Sequence, residues 1–221
     1  MNKSPRPEPL AAFASGSRIL FQGDSITDGN RGRSADPNHI LGHGYAFLIA
    51  AKYGAAFPER KLVFLNRGIS GNQVTDLAAR WQRDTRELKP DLLSILIGVN
   101  DNGRAPLEIF EPTYDKLLTD ARAENPKLRL VLLEPFCLPV GHTLERGEAW
   151  VAELTERQKI TARLAKKHGA VLVPCQRIFT DACKRASADY WIWDGIHPTY
   201  SGHQLLADAW IEVVRKAKWG K

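Results

Sequence analysis

Five short apolar runs punctuate the chain: 18–22 (RILFQ), 62–66 (LVFLN), 92–97 (LLSILI), 128–133 (LRLVLL) and 170–174 (AVLVP). Their continuous apolar character predicts strands covered on both faces. Segments of helical period lie between them. They run over 45–53, over 74–88 with Leu77, Ala78, Trp81 and Leu88 on one face, and over 107–125, which begins beside Pro106. A fourth covers 150–168 and stops at Gly169, and an amphipathic segment, 201–218, closes the chain. Strand and helix alternating in this way predict an α/β fold, a parallel sheet with helices on both faces. In such sheets the site is expected beyond the carboxyl ends of the strands.

The 221 residues fit a single domain, 18–221, after an N-terminal extension, 1–17, that holds three prolines. A 43% hydrophobic and 25% charged composition is globular and excludes disorder, collagen and coiled coil. The net charge is +6, but the basic residues are scattered. Their densest groups, Lys166-Lys167-His168 and Arg215-Lys216-Ala217-Lys218, fall at expected helix C-termini, where the helix dipole favours them. Nucleic acid is therefore not an expected partner. Three cysteines without a C-x-x-C spacing suggest neither a disulfide framework nor a zinc ribbon, and Cys137 and Cys175 read as small buried hydrophobes. The apolar patch 10–14 is too short for a signal segment, and no run approaches a membrane span. The expectation is a cytoplasmic protein with no membrane contact.

The segments just past the strands carry the chemistry. Gly23-Asp24-Ser25 comes after the first run, Gly68-Ile69-Ser70-Gly71-Asn72 after the second and Gly98-Val99-Asn100-Asp101 after the third, and Asp194-Gly195-Ile196-His197-Pro198 stands near the C-terminus. These are the parts of an acyl-transfer site. A serine hydroxyl needs an adjacent base to become a nucleophile. Histidine, which ordinarily titrates near pH ~6.5, supplies one. Asp194, three residues before His197, is close enough for a turn to set its carboxylate on the imidazole. The candidate catalytic residues are Ser25, Asp194 and His197. The oxyanion donors are the backbone N–H groups of Ser25 and Gly71 and the side-chain amide of Asn100.

Gly23-Asp24-Ser25, Gly71, Gly98-x-Asn100-Asp101 and Asp194-x-x-His197 match, in order, the four sequence blocks of the SGNH (GDSL) hydrolases, and the chain resembles that family over nearly its whole length. The resemblance implies a flavodoxin-like three-layer α/β/α sandwich with a five-stranded parallel sheet. Longer strings are similar to those of bacterial acetyl-xylo-oligosaccharide esterases: Gly42-His-Gly-Tyr45, Asp76-Leu-x-x-Arg80-Trp81, Pro135-Phe136 and Trp193-Asp-x-x-His-Pro198. That likeness implies a cytoplasmic esterase that deacetylates acetylated oligosaccharides, needs no cofactor or metal and is able to form homo-oligomers. Asp24, Tyr45 and Trp193 are the candidate substrate contacts. The positive balance predicts steering of acidic substrates such as uronate-bearing xylan fragments. A lysophospholipase or thioesterase is the alternative enzyme, and a non-catalytic binding module that retains the fold is the alternative of another class.

Plainer roles compete at several positions. Asp24 suits a turn or an N-cap, and Asp28 and Asp101 suit local hydrogen bonding. Ser70 is a rival nucleophile, but its string misses the G-x-S-x-G elbow by one position. His39 and His43 lack a third ligand at metal-binding spacing and read as loop residues. His203 reads as capping or packing the last helix. Tyr190, Trp191 and Trp193 form an aromatic cluster that serves either a sugar face or the core. Nucleotide-binding glycine motifs are absent. Loops 30–44 and 136–148 are expected to shape the pocket, the latter as a segment able to close over a substrate.

Overall fold

The computed structural model describes residues 6–34 and 36–219. Five strands form one parallel sheet: β1 (Arg18–Gly23), β2 (Val63–Asn66), β3 (Leu92–Leu96), β4 (Arg129–Leu133) and β5 (Val171–Val173), in the order β2-β1-β3-β4-β5. Side-chain alternation splits the apolar runs between two cores. Ile19, Phe21, Val131 and Leu133 face one layer, and Leu20, Leu93, Ile95, Leu130 and Leu132 the other. Eight helices are described: α1 (Ser25–Asp28), α2 (Tyr45–Ala56), α3 (Val74–Trp81), α4 (Leu107–Glu124), α5 (Gly147–Lys167), α6 (Cys175–Ala182), α7 (Ala188–Trp191) and α8 (Tyr200–Lys216). Helices α2, α6 and α8 cover the first face, and α3, α4 and α5 the second. This is the expected flavodoxin-like three-layer α/β/α sandwich, with the topological switch at β1/β3.

Two polar side chains of the central strands are matched. Ser94 interrupts the apolar β3, and its Oγ accepts from the Trp210 indole at 2.9 Å. Gln22 is fully buried in β1 and donates to the Asp84 carbonyl at 2.7 Å and to Thr85 Oγ1 at 2.8 Å. Those two partners explain a departure from the expected helix over 74–88. Helix α3 ends at Trp81, and the chain widens into a π turn, Gln82–Arg86, that turns Asp84 and Thr85 inward. Ala78 is exposed as a result of where α3 sits.

The expected extension also differs. Leu10, Ala12 and Phe13 are buried, and Phe13 packs edge-on against Tyr53 and Phe64, with ring centroids at 5.2 and 5.8 Å. Apolar residues that come after the prolines thus join the core, while Arg6, Glu8, Pro9, Ala11 and 14–16 stay exposed. Cys137 and Cys175 are buried free thiols, as their surroundings suggested. No helix among the described residues is long and apolar enough to cross a membrane.

Candidate active site

Strand β1 delivers Ser25 to the carboxyl edge of the sheet. Gly23, at φ +152°, makes the turn out of the strand where a Cβ would strike the Leu96 carbonyl and Thr27. Asp24 then N-caps α1, its Oδ1 accepting from the Ile26 amide at 3.0 Å. Ser25 Oγ stands 2.8 Å from His197 Nε2, and His197 Nδ1 stands 2.6 Å from Asp194 Oδ2. The second Asp194 oxygen accepts the Ile196 and His197 amides at 2.9 and 2.7 Å, which fixes the three-residue turn. Burial pushes the Asp194 carboxyl up, but those amides and the imidazole outweigh it and hold the group below its ordinary value. An ionised Asp194 on Nδ1 assigns the proton to that nitrogen and leaves the Nε2 lone pair facing Ser25.

The donor side is built from the loops after β2 and β3. Gly71 has φ +81°, which a side chain would strain, and a Cβ there would meet nothing within 4 Å. Two ties hold its loop: the Ile69 amide donates to the Gly23 carbonyl at 3.1 Å, and Ser70 donates through its amide (2.9 Å) and Oγ (3.1 Å) to Asp28 Oδ2. Asn100 Nδ2 donates to the Asn72 carbonyl at 3.2 Å and so lies beside the same loop. Among the described residues, no protein acceptor takes the Ser25 or Gly71 amide.

Two candidate substrate contacts move. Asp24 and Tyr45 are both fully buried, so neither presents a surface to a ligand. Asp24 is used as the cap of α1. Tyr45 opens α2 from beneath, its hydroxyl 3.0 Å from Thr27 Oγ1. Trp193 is 61% exposed beside the Asp194 turn, whereas Trp191 is buried with its indole on the Ala182 carbonyl at 3.1 Å. The aromatic cluster thus divides between surface and core. Ser70 has a carboxylate rather than an imidazole as its side-chain partner. His39 is paired with Asp36 at 2.6 Å.

Loop 136–148 is a buttress. The Leu138 amide donates to the Gly195 carbonyl at 2.9 Å, and the His142 amide to the Asp194 carbonyl at 3.0 Å. Side chains at Gly141 or Gly195 would collide across that seam. The expected closing segment is therefore occupied in holding the Asp194–His197 turn.

Several supporting residues gave no local signal. Arg80 Nε donates to Asn72 Oδ1 at 2.8 Å, and its Nη groups reach Gln22, the Arg67 and Gly23 carbonyls and Asp84. Arg157, fully buried on α5, donates to Asn102 Oδ1 (3.1 Å) and to the Asp101 carbonyl (2.9 Å) and also binds the Ala105 carbonyl. His203 does not cap its own helix but accepts the Tyr45 amide at 3.2 Å. Burial pushes it down to about 4, so it stays neutral as that role requires. Of these, Arg80 alone falls within one of the strings that carry the family resemblance.

A serine, an imidazole and a carboxylate in hydrogen-bond sequence, with glycine and asparagine donors on neighbouring strand ends, are the arrangement of an SGNH hydrolase. The chain belongs to the GDSL-like lipase/acylhydrolase family, whose model matches residues 21–205. It is 30% identical to an acetylxylan esterase of Geobacillus stearothermophilus, over 91% of this chain and 95% of the relative. Among solved structures it is similar to one described as a GDSL-like lipase from Parabacteroides merdae. That match has TM-score 0.87 and 36% identity, and covers 93% of this chain and 99% of the other. The acetylxylan esterase Axe2 of G. stearothermophilus matches with TM-score 0.80 and 29% identity, over 95% and 99% of the two chains. Two further Axe2 structures are of catalytic mutants, one with an aspartate and one with a serine replaced by alanine.

Proposed function

We propose that the protein is a serine esterase that hydrolyses short acyl esters, foremost acetyl groups on xylo-oligosaccharides, through an acyl-enzyme on Ser25. The observation that carries this reading is the continuous hydrogen-bond sequence Ser25–His197–Asp194. His197 Nε2 takes the serine proton as Oγ attacks the ester carbonyl. The tetrahedral oxyanion is held by the Ser25 and Gly71 amides and the Asn100 side chain. The imidazolium, stabilised by Asp194, returns its proton to the leaving sugar oxygen. Water, deprotonated by the same nitrogen, then releases acetate and free Ser25. Side chains and water suffice for each step, so activity is expected to survive a metal chelator. Loss of activity with chelator would overturn the mechanism.

The short-chain preference rests on the openness of the site and on the relatives. The His197 side chain is 39% exposed and Trp193 stands uncovered beside it, which suits an oligosaccharide laid over the mouth. The test is a p-nitrophenyl ester series from acetate to decanoate, with Ser25→Ala as control. Activity is expected to fall steeply beyond butyrate and to be lost in the variant. A maximum at octanoate or longer would move the reading to lipid or thioester substrates. An unreactive Ser25 towards an organophosphonate would favour a binding module.

A further inference from the structure

A groove of about 730 Å³ lies between the loop after α1, the end of β2 and the π turn. Its lining is strongly cationic: Arg31, Arg33, Arg67 and Arg83 against the single carboxylate of Asp84. The charges are not matched internally. Arg33 is paired with Asp28 at 2.7 Å, and Asp84 is shared between Arg83 at 2.9 Å and Arg80 at 3.3 Å. Arg31 and Arg67 donate only to backbone: Arg31 Nε to the Gly68 carbonyl at 2.9 Å, and Arg67 Nη1 to the Asn66 carbonyl at 3.3 Å. Among the described residues neither has a carboxylate partner. Burial and the neighbouring charges of Arg33 and Arg67 push Arg31 down to about 10, against the pull of Asp28. Two guanidinium groups are thus held together with donors unused, an arrangement that a carboxylate relieves through paired N–H···O bonds.

The groove adjoins the loop that carries Gly71. Ile69 lines it and lies two residues before Gly71, a span of at most about 7 Å. Resting on the proposed esterase activity, we propose that this groove is a subsite for the carboxylate of an acidic sugar carried by the substrate itself. The acetylated oligosaccharide would then be a uronate-substituted one. The acid would sit on Arg31 and Arg67 while the ester lies over Ser25, giving discrimination at a defined place beyond long-range steering.

The test is calorimetric binding to the Ser25→Ala protein of two acetylated xylotrioses, one neutral and one with a glucuronosyl substituent. The acidic ligand is expected to bind about fivefold to tenfold more tightly at low salt. That ratio should fall towards one with Arg67→Gln and be only partly restored by Arg67→Lys, which keeps the charge but not the paired donors. Because both ligands meet the same protein, a general folding defect weakens both and leaves the ratio standing. If Arg67→Gln binds neither ligand, Arg31→Gln decides in its place. Equal affinities in the parent, or a preference that outlasts the arginine substitutions, would overturn the subsite. Free glucuronate should not alter binding of the neutral ligand; an effect as large as that of the attached acid would make the groove an effector site instead. Turnover by the unmodified enzyme separates the two readings. Cleavage of both sugars without preference removes the subsite and keeps the esterase. Cleavage of p-nitrophenyl acetate but of neither sugar removes the oligosaccharide substrate, and calorimetry alone then decides the groove.

Discussion

Asp24 is adjacent to the proposed nucleophile, yet it faces no solvent. Among the described residues its Oδ2 has no hydrogen-bond partner, and the same is true of Asp101 Oδ2. Burial above all, with the charges of Asp101 and Asp28 adding, pushes the Asp24 carboxyl up to about 7 from 3.8. The native state therefore keeps a proton that the unfolded chain releases between those values, and its stability falls as pH rises from about 4 to 7. The full effect is at most about 4 kcal/mol. Asn at this position still accepts the Ile26 amide but cannot ionise. Asp24→Asn is expected to melt higher than the wild type at pH 8 and to converge with it near pH 4. Parallel melting curves across that range would contradict the assignment. In the proposed mechanism Asn100, by contrast, acts only when charge develops on the substrate. Asn100→Ala should lower kcat by about 10²–10³ with little change in KM, read from steady-state kinetics.

At the scale of elements, what holds the site is a set of long side chains between strand ends and helices. Arg157 binds α5 to the loop 101–105, directly after Asn100. Removing it leaves buried carbonyls without donors. Arg157→Ala should cost about 3–5 kcal/mol, roughly 10 °C in Tm by scanning calorimetry, and should reduce kcat as Asn100 loosens. The strands were legible because both faces of the sheet are covered, so each strand is an unbroken apolar word. The candidate triad was legible because Asp24-Ser25 and Asp194-x-x-His197 are compact strings at turns. Helices α1, α6 and α7 were missed, since four to eight residues hold too few turns to show a period. Tyr45 was misassigned because a glycine-flanked loop precedes it, and nothing local reveals that α2 begins with its ring turned inward. The Arg80, Arg157 and His203 contacts link residues as much as 158 positions apart, so their partners could not be read locally even where, as for Arg80, the residue stands in a string that carries the resemblance.

The whole molecule begins earlier than its first strand. Phe13 is held among Tyr53, Phe64 and Trp210, which joins the N-terminal segment to α2, β2 and α8 at once. Phe13→Ala should cost about 3–5 kcal/mol and lower Tm by roughly 10 °C, a loss out of scale with an appended tail. The sheet also has a history written into its connectivity. Ser25 and His197 touch across 172 positions. A ribosome releases the serine long before the base that would activate it, and every intermediate length of chain holds an inert hydroxyl. On the ribosome, hydrolytic competence therefore cannot precede the synthesis of the Asp194–His197 turn. Chains that stop short of Asp194 are expected to show no esterase activity however well the sheet forms, and chains that regain it would contradict the role given to His197.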